Sequence, residues 1–281
     1  MTGYSSFLKT VFAASLLSLS VTTAAVAQNS TLQPISTRFA QTQTEISLDI
    51  MAKRFSDVEL DEADQFDGYT AVFELTVPIA ADKQFRLSVP FYTSGDARLK
   101  PGGEPIHIEG KGGVFDYATL EFEYQKYFAE DAGFNLAYTI GAGMRTATLD
   151  TGTGDLYNHT GRIIVLGTKM DKSVHGGEVQ LLLNAGIRFY FDADDLHPDG
   201  WDDWVWADVK GAIIFKSWGR YVWPVLELTY LGGFHDYNAV ALMPELIIQV
   251  TEAVSLKPGG IIGLTSDGSR GGVTGELSIN F

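Results

Sequence analysis

The sequence ends Val273-Thr274-Gly275-Glu276-Leu277-Ser278-Ile279-Asn280-Phe281. Apolar or small residues alternate with polar ones up to a terminal aromatic, which is the period of a β-strand with one apolar and one polar face. That parity puts Val273, Leu277, Ile279 and Phe281 on one face and Glu276 and Asn280 on the other. The same period recurs upstream. Ile46, Leu48 and Ile50 alternate with Glu45, Ser47 and Asp49, and the Tyr69–Ile79, Phe85–Phe91, Ala118–Gln125 and Phe134–Met144 stretches repeat it. Arg162–Lys169 is ambiguous in parity, because Ile163 to Leu166 are contiguous and apolar. Val179–Phe189, Val205–Phe215, Tyr221–Tyr230, Ala239–Val250, Val254–Leu264 and the last strand follow, making about twelve runs. Pro78, Pro90, Pro224, Pro244 and Pro258 fall in or beside strands and are expected at bulges or strand ends.

The connections sort by length. Arg54–Asp67, Ser94–Gly113, Leu149–His159, Asp192–Asp203, Gly232–Asn238 and Thr265–Gly272 read as long loops. Between them, Ala80–Ala81, Glu130–Asp131, Asp171–Ser173, Ser217–Gly219 and Thr251–Glu252 read as tight turns. An even number of strands with alternating long and short connections is the layout of an up-and-down barrel with both termini on one side. Aromatics gather at strand ends: Trp218, Tyr221 and Trp223 at one turn, Phe128 and Phe134 at another, and Phe189, Phe191, Trp201, Trp204 and Trp206 around a long loop. Two aromatic bands flanking aliphatic strand centres match the interfacial girdles of a membrane barrel.

At the other end, Lys9 precedes an apolar stretch from Val11 to Val21, and Ala25-Val26-Ala27 offers a small-x-small cleavage site. Residues 1–27 therefore read as a cleaved signal peptide, 28–42 as a polar lead-in lying in the periplasm or the lumen, and 43–281 as the barrel. The chain has no cysteine, which excludes disulfides and thiolate chemistry. Its 35 acidic against 20 basic residues give a net charge of −15, which disfavours nucleic acid as a partner.

On the closing strand and its terminal Phe281, the chain resembles Gram-negative outer-membrane β-barrels. The resemblance implies an all-β fold, an antiparallel up-and-down transmembrane β-barrel of about 12 strands in the outer membrane of a Gram-negative bacterium. It also implies outer-membrane lipid and lipopolysaccharide as surroundings, and the barrel assembly machinery as a partner that reads Leu277, Ile279 and Phe281. It does not transfer a substrate.

With the apolar face toward lipid, the polar face lines the lumen. Candidate lumen residues are Glu74, Arg86, Glu121, Glu123, Arg145, Arg188, Lys210 and Glu227, joined by Glu45, Asp49, Arg162, Asp208, Glu245, Lys257 and Glu276. Mixed charges at mid-strand suit a polar channel with a charged constriction, and equally a lumen cross-braced by acid–base pairs. The expected function is a passive, porin-like channel for a small solute. The alternative is a structural or surface-interaction barrel with a plugged lumen and acidic cation-binding loops; a third reading is a lipid-modifying outer-membrane enzyme.

Two acidic loops, one spanning Asp57 to Asp67 and the other including Asp192, Asp194, Asp195 and Asp199, are candidates for divalent cations. A calcium-loop pattern starting at Asp195 fails, because Trp206 stands where a bidentate Glu is needed. Lipid-hydrolysing outer-membrane barrels place Ser two residues after a catalytic His. Here those positions hold Glu109, Gly161, Gly177, Asp199 and Tyr237, so no enzyme is expected, and no cofactor.

Overall fold

The computed structural model describes residues 32–61, 64–98, 106–111, 117–150, 156–191, 205–233 and 237–281. The strands are β1 Ser47–Asp61, β2 Asp64–Ala80, β3 Lys83–Arg98, β4 Ile106–Lys111, β5 Ala118–Tyr127, β6 Asn135–Asp150 and β7 Leu156–Val174, then β8 Val179–Phe191, β9 Val205–Phe215, β10 Val222–Gly233, β11 Asn238–Gln249, β12 Val254–Gly263 and β13 Gly268–Asn280. All neighbouring pairs are antiparallel, and β1 pairs with both β2 and β13, so the sheet closes. β4 and β5 both lie between β3 and β6, β5 against Lys83–Ser88 and β4 against Tyr92–Ala97. They are two pieces of one wall strand, and the barrel has 12 strand positions. Closure leaves no unpaired edge, which is the condition for strands to cross lipid.

The last strand keeps the parity expected of it. Ser47 pairs with Asn280 and Leu48 with Ile279, so the two ends of the chain seal the barrel, and the Phe281 N–H donates to the Ile46 carbonyl at 2.9 Å. Thr274, Glu276, Ser278 and Asn280 point inward and are buried; Val273 is 60 % and Phe281 70 % exposed on the outer face. The ambiguous run resolves the same way, with Ile163, Val165 and Lys169 inward and Ile164 and Leu166 outward.

Several expectations change. Much of the expected long loops is strand: β1 and β2 stay paired up to Asp61 and Asp64, and β6 and β7 up to Asp150 and Leu156. β7 has 19 residues, whereas about 9–11 span a bilayer, so backbone pairing continues well past the apolar belt. The turns shift too. Asp171–Ser173 lies within β7, and the turn is His175–Gly177. Glu130–Asp131 sits in a one-turn helix, Ala129–Ala132, stopped by Gly133 in the left-handed region (φ 75°). Register shifts lie at Pro78 and beside Pro90, while the β10–β11 ladder runs through Pro224. Pairing of β11 with β12 skips Pro244 and Pro258, as proline has no N–H to give a ladder. Trp218 and Tyr221 lie on the outer face, but Trp206 and Trp223 are buried in the lumen, because they sit on the inward parity of β9 and β10. Trp201 and Trp204 lie outside the described residues.

The lumen is not empty. Residues 32–45 enter it from the turn end, where β1 begins and β13 ends, and cross it as irregular backbone. Ile35, Thr37, Phe39 and Ala40 are buried. The wall pairing starts at Ser47, so the segment that leads in extends to Glu45, and Glu45 is exposed rather than lumen-lining.

Candidate functional site

A buried irregular segment leaves its N–H groups without ladder partners, which is costly unless side chains accept them. Here the barrel wall supplies them. Ile35 N–H donates to both Glu245 carboxylate oxygens at 3.2 Å. Ser36 N–H donates to Glu227 at 3.1 Å and Thr37 N–H to the same carboxylate at 2.7 Å. Arg38 N–H reaches Asn184 Oδ1 at 2.6 Å, and Asn184 Nδ2 donates back to the Arg38 carbonyl at 2.8 Å. Asp171 takes Ala40 N–H at 2.8 Å and Gln41 N–H at 3.3 Å. Thr42 N–H donates to Gln125 at 2.8 Å and Gln43 N–H to Gln84 at 2.9 Å. Phe39 N–H is accepted within the segment by Gln33 at 3.3 Å. Every N–H from Ile35 to Gln43 therefore has an acceptor.

Two apolar knobs anchor the same segment. Phe39 packs with Leu182, Ala212, Ile214, Trp223, Val225 and Ile247. Ile35 packs with Met51, Met243 and Ile261. These wall residues all lie on the lumen parity, so this part of the lumen is apolar, against the expectation of a wholly polar one. The Trp223 indole N–H donates to the Gly219 carbonyl at 2.7 Å.

Arg38 is the ionic centre. Its Nη2 lies 2.5 Å from Glu74 and 3.5 Å from Glu276, and its Nη1 donates to the Pro34 and Ile35 carbonyls. Burial works against the charge, but the carboxylates of Glu74, Glu276 and Asp49 offset it and hold the guanidinium well above its ordinary pKa. Beside it, Lys257 Nζ lies 2.5 Å from Glu276 and 2.7 Å from Ser278 Oγ, whose hydroxyl also donates to Asp49.

On the loop side of the segment lies a cavity of 260 Å³, floored by Ile35, Ser36 and Arg38. Glu74, Arg86, Glu121, Arg188 and Lys210 line it, as do Lys53, Lys169 and Asp208. Arg86 pairs with Glu121 at 2.6 Å, Lys169 with Glu123, and Arg188 with Asp208, which Lys210 also approaches at 3.4 Å. Above it an aromatic row leads toward the loops. Tyr117 and Tyr190 have centroids 5.5 Å apart, Tyr190 and Trp206 6.0 Å, and Trp206 and Tyr237 4.8 Å.

The structure thus divides the candidate lumen residues. Glu74, Arg86, Glu121, Arg188 and Lys210 meet at the cavity, with Glu123 buried behind Lys169. Glu227 is fully buried under the segment rather than open to a channel, because it accepts the segment's N–H groups. Arg162 is exposed on the outer face, since Ile163 takes the inward parity. The side chain of Arg145, the four candidate loop aspartates 192, 194, 195 and 199, and the side chains at 57–61 lie outside the described residues. Among the described residues no cluster of three or more metal-ligating side chains occurs.

Arg38, Lys53, Lys169 and Asp171 were not marked by the sequence pattern, whereas Asn184 stands on the polar face of its run with Gln180 and Arg188. Lys53 had a usable signal, as it shares the parity of Asp49 and Met51. Lys169 sat in the ambiguous run, Asp171 in an expected turn, and Arg38 in a lead-in with no period. Leu182, Ile214 and Ile247 could have been noticed as apolar residues on the polar parity, each beside outward apolar neighbours.

No protein-family model and no curated protein sequence matches the chain. Solved structures do. The transport unit of the autotransporter AIDA-I from Escherichia coli is 12 % identical over 89 % of this chain and 93 % of its own, with a TM-score of 0.51. The translocator domain of the autotransporter NalP from Neisseria meningitidis is 8 % identical over 84 % and 88 %, also at 0.51. The fold is that of an outer-membrane β-barrel. At such identity the likeness concerns the fold of this barrel and not its cargo.

Proposed function

We propose that this chain is a Gram-negative outer-membrane channel for a small solute, closed in its resting state by its own N-terminal segment, which acts as a plug. The membrane setting is supported by the outer face, where Leu120, Tyr138, Ile140, Met144 and Val273 are each at least half exposed. Apolar surface of that extent needs a lipid or protein cover. Outward Trp218 and Tyr221 at the turn end and outward Tyr69, Phe91 and Phe191 toward the loop end suit interfacial girdles. The outward Leu277, Ile279 and Phe281 remain the segment we assign to recognition by the assembly machinery. This reading gives the chain no hydrolytic role, and lipid release by the purified protein would overturn that part of it.

The observation that carries the reading is the continuous set of wall acceptors for the N–H groups of Ile35 to Gln43. Hydrogen bonds to charged acceptors contribute about 1.5–3 kcal/mol each. Such bonds, with two buried apolar knobs, offset part of the cost of ordering the segment. The cavity above supports the channel reading, since it leaves lumen space that side chains do not fill.

Planar-bilayer conductance tests this. The intact protein is expected to be silent, and a chain lacking Leu32–Glu45 to show steady ion-conducting steps. Porin-like conductance from the intact chain would overturn the plug. A silent barrel after the deletion, with heat-modifiable folding preserved, would overturn the channel.

A further inference from the structure

The cavity above the plug carries an unbalanced charge in a chain that is strongly acidic overall. Arg38, Lys53, Arg86, Lys169, Arg188 and Lys210 line it, against Glu74, Glu121 and Asp208. Counting the carboxylates just behind the wall narrows the excess to one place. Arg38 has Glu74 and Glu276, Arg86 has Glu121, and Lys169 has Glu123. Arg188 and Lys210 share the single carboxylate of Asp208. Lys53 has no ion pair or hydrogen bond among the described residues, and its charge acts on Lys210. Two cations thus share one acid, and Lys53 lines the same cavity without an acid of its own among the described residues. Like charges held together at a half-buried site repel by an amount that a bound anion would relieve.

A second observation concerns the other walls, which have the opposite character. Met51, Phe55, Val72, Ile163 and Val165 present apolar surface, and Tyr117 and Tyr190 present ring faces. A cavity of 260 Å³ is below the range of about 300–1,000 Å³ typical of drug-sized ligands, so its occupant is small. One charged wall and one apolar wall suit a molecule with an anionic head and an apolar body, better than a fully hydrated inorganic ion.

We propose that the cavity is a binding site for a small organic carboxylate, its head held by Lys53, Arg188 and Lys210 and its apolar body set against Phe55, Tyr117, Ile163 and Val165. The Arg188 guanidinium, held in place by Asp208, supplies orientation, and Lys53 supplies the charge that Asp208 leaves uncompensated. This deepens the channel reading by naming the class of solute and rests on that reading for its role, though binding itself needs only the closed floor of the cavity.

Titration calorimetry on the intact, detergent-purified protein tests it, with benzoate, its neutral isostere benzyl alcohol, and inorganic phosphate as separate probes. Benzoate is expected to bind at least about tenfold more tightly than either of the others. Lys53→Met is expected to weaken benzoate about tenfold. Arg54→Gln, one residue away and exposed on the outer face, is expected to leave it unchanged. Neither side chain has an ion pair or hydrogen bond among the described residues, so folding is preserved, and heat-modifiable mobility checks it. Equal binding of benzoate and benzyl alcohol would overturn the anionic head. Tighter binding of phosphate would overturn the apolar body. Equal effects of the two substitutions would overturn the assignment to the lumen. Since no bilayer is involved, these results stand whatever the conductance of the deletion shows.

Discussion

Under the plug, Glu227, Glu245 and Asp171 face backbone N–H groups; in the cavity above it, Glu121 and Asp208 face guanidinium groups. Glu227, Glu245 and Asp171 each have a main-chain donor from the plug, and among the described residues none is paired at short range with a lysine or arginine. Glu121 and Asp208 instead hold Arg86 and Arg188. The difference follows from the neighbour each region was given. A segment crossing the lumen offers neutral donors and needs acceptors, so acids collect there. Where no segment crosses, acids and bases brace each other and a cation is left over. One region is built to hold a fixed occupant, the other to receive an exchangeable one.

That contrast can be broken by substitution. The largest effect is expected at Arg38, whose removal takes the buried cation from Glu74 and leaves Glu276 with Lys257 alone. Arg38→Met should weaken plug docking by about 3–5 kcal/mol. Hydrogen exchange of the plug amides, which reads local opening separately from global unfolding, would detect it, and unchanged protection would show that the plug is not held by charge. A smaller loss is expected for Glu227→Ala, which strands the Ser36 and Thr37 N–H groups. About 1.5–3 kcal/mol of protection should disappear there, with Gln43 less affected. The smallest is Lys53→Met in the cavity, where thermal stability should change by less than about 0.5 kcal/mol. A large destabilisation by Lys53→Met would mean that the cavity, like the plug region, is tied down by its charges.

The barrel was legible because its signal is periodic. Alternation in the Glu45–Ile50, Ala118–Gln125 and Val273–Phe281 stretches states which side chains share a face, and a closed sheet preserves that information. Glu74, Arg86, Glu121 and Arg188 could be assigned inward on parity alone. The expected girdle membership of Trp206 and Trp223 failed for the same reason that the rest held: parity outranks the preference of tryptophan for an interface. Loop lengths were overestimated because polar, charged stretches such as Ser56–Asp67 can still pair as strands once they rise beyond the apolar belt.

By itself, then, the sequence determined an antiparallel all-β wall and the parity of most of its strands, since a period of two requires only local backbone geometry. It did not determine what fills the barrel. Leu32–Glu45 has no period, and its contacts with Glu227 and Glu245 span about 190 to 210 residues of chain. Only the closed tertiary structure brings Asp171, Asn184, Glu227 and Glu245 to one level of the lumen, where together they accept the N–H groups of a segment that no local rule would place there. The uncompensated charge of Lys53 likewise exists only after closure, when Arg188 and Lys210 arrive on the same cavity with one carboxylate between them.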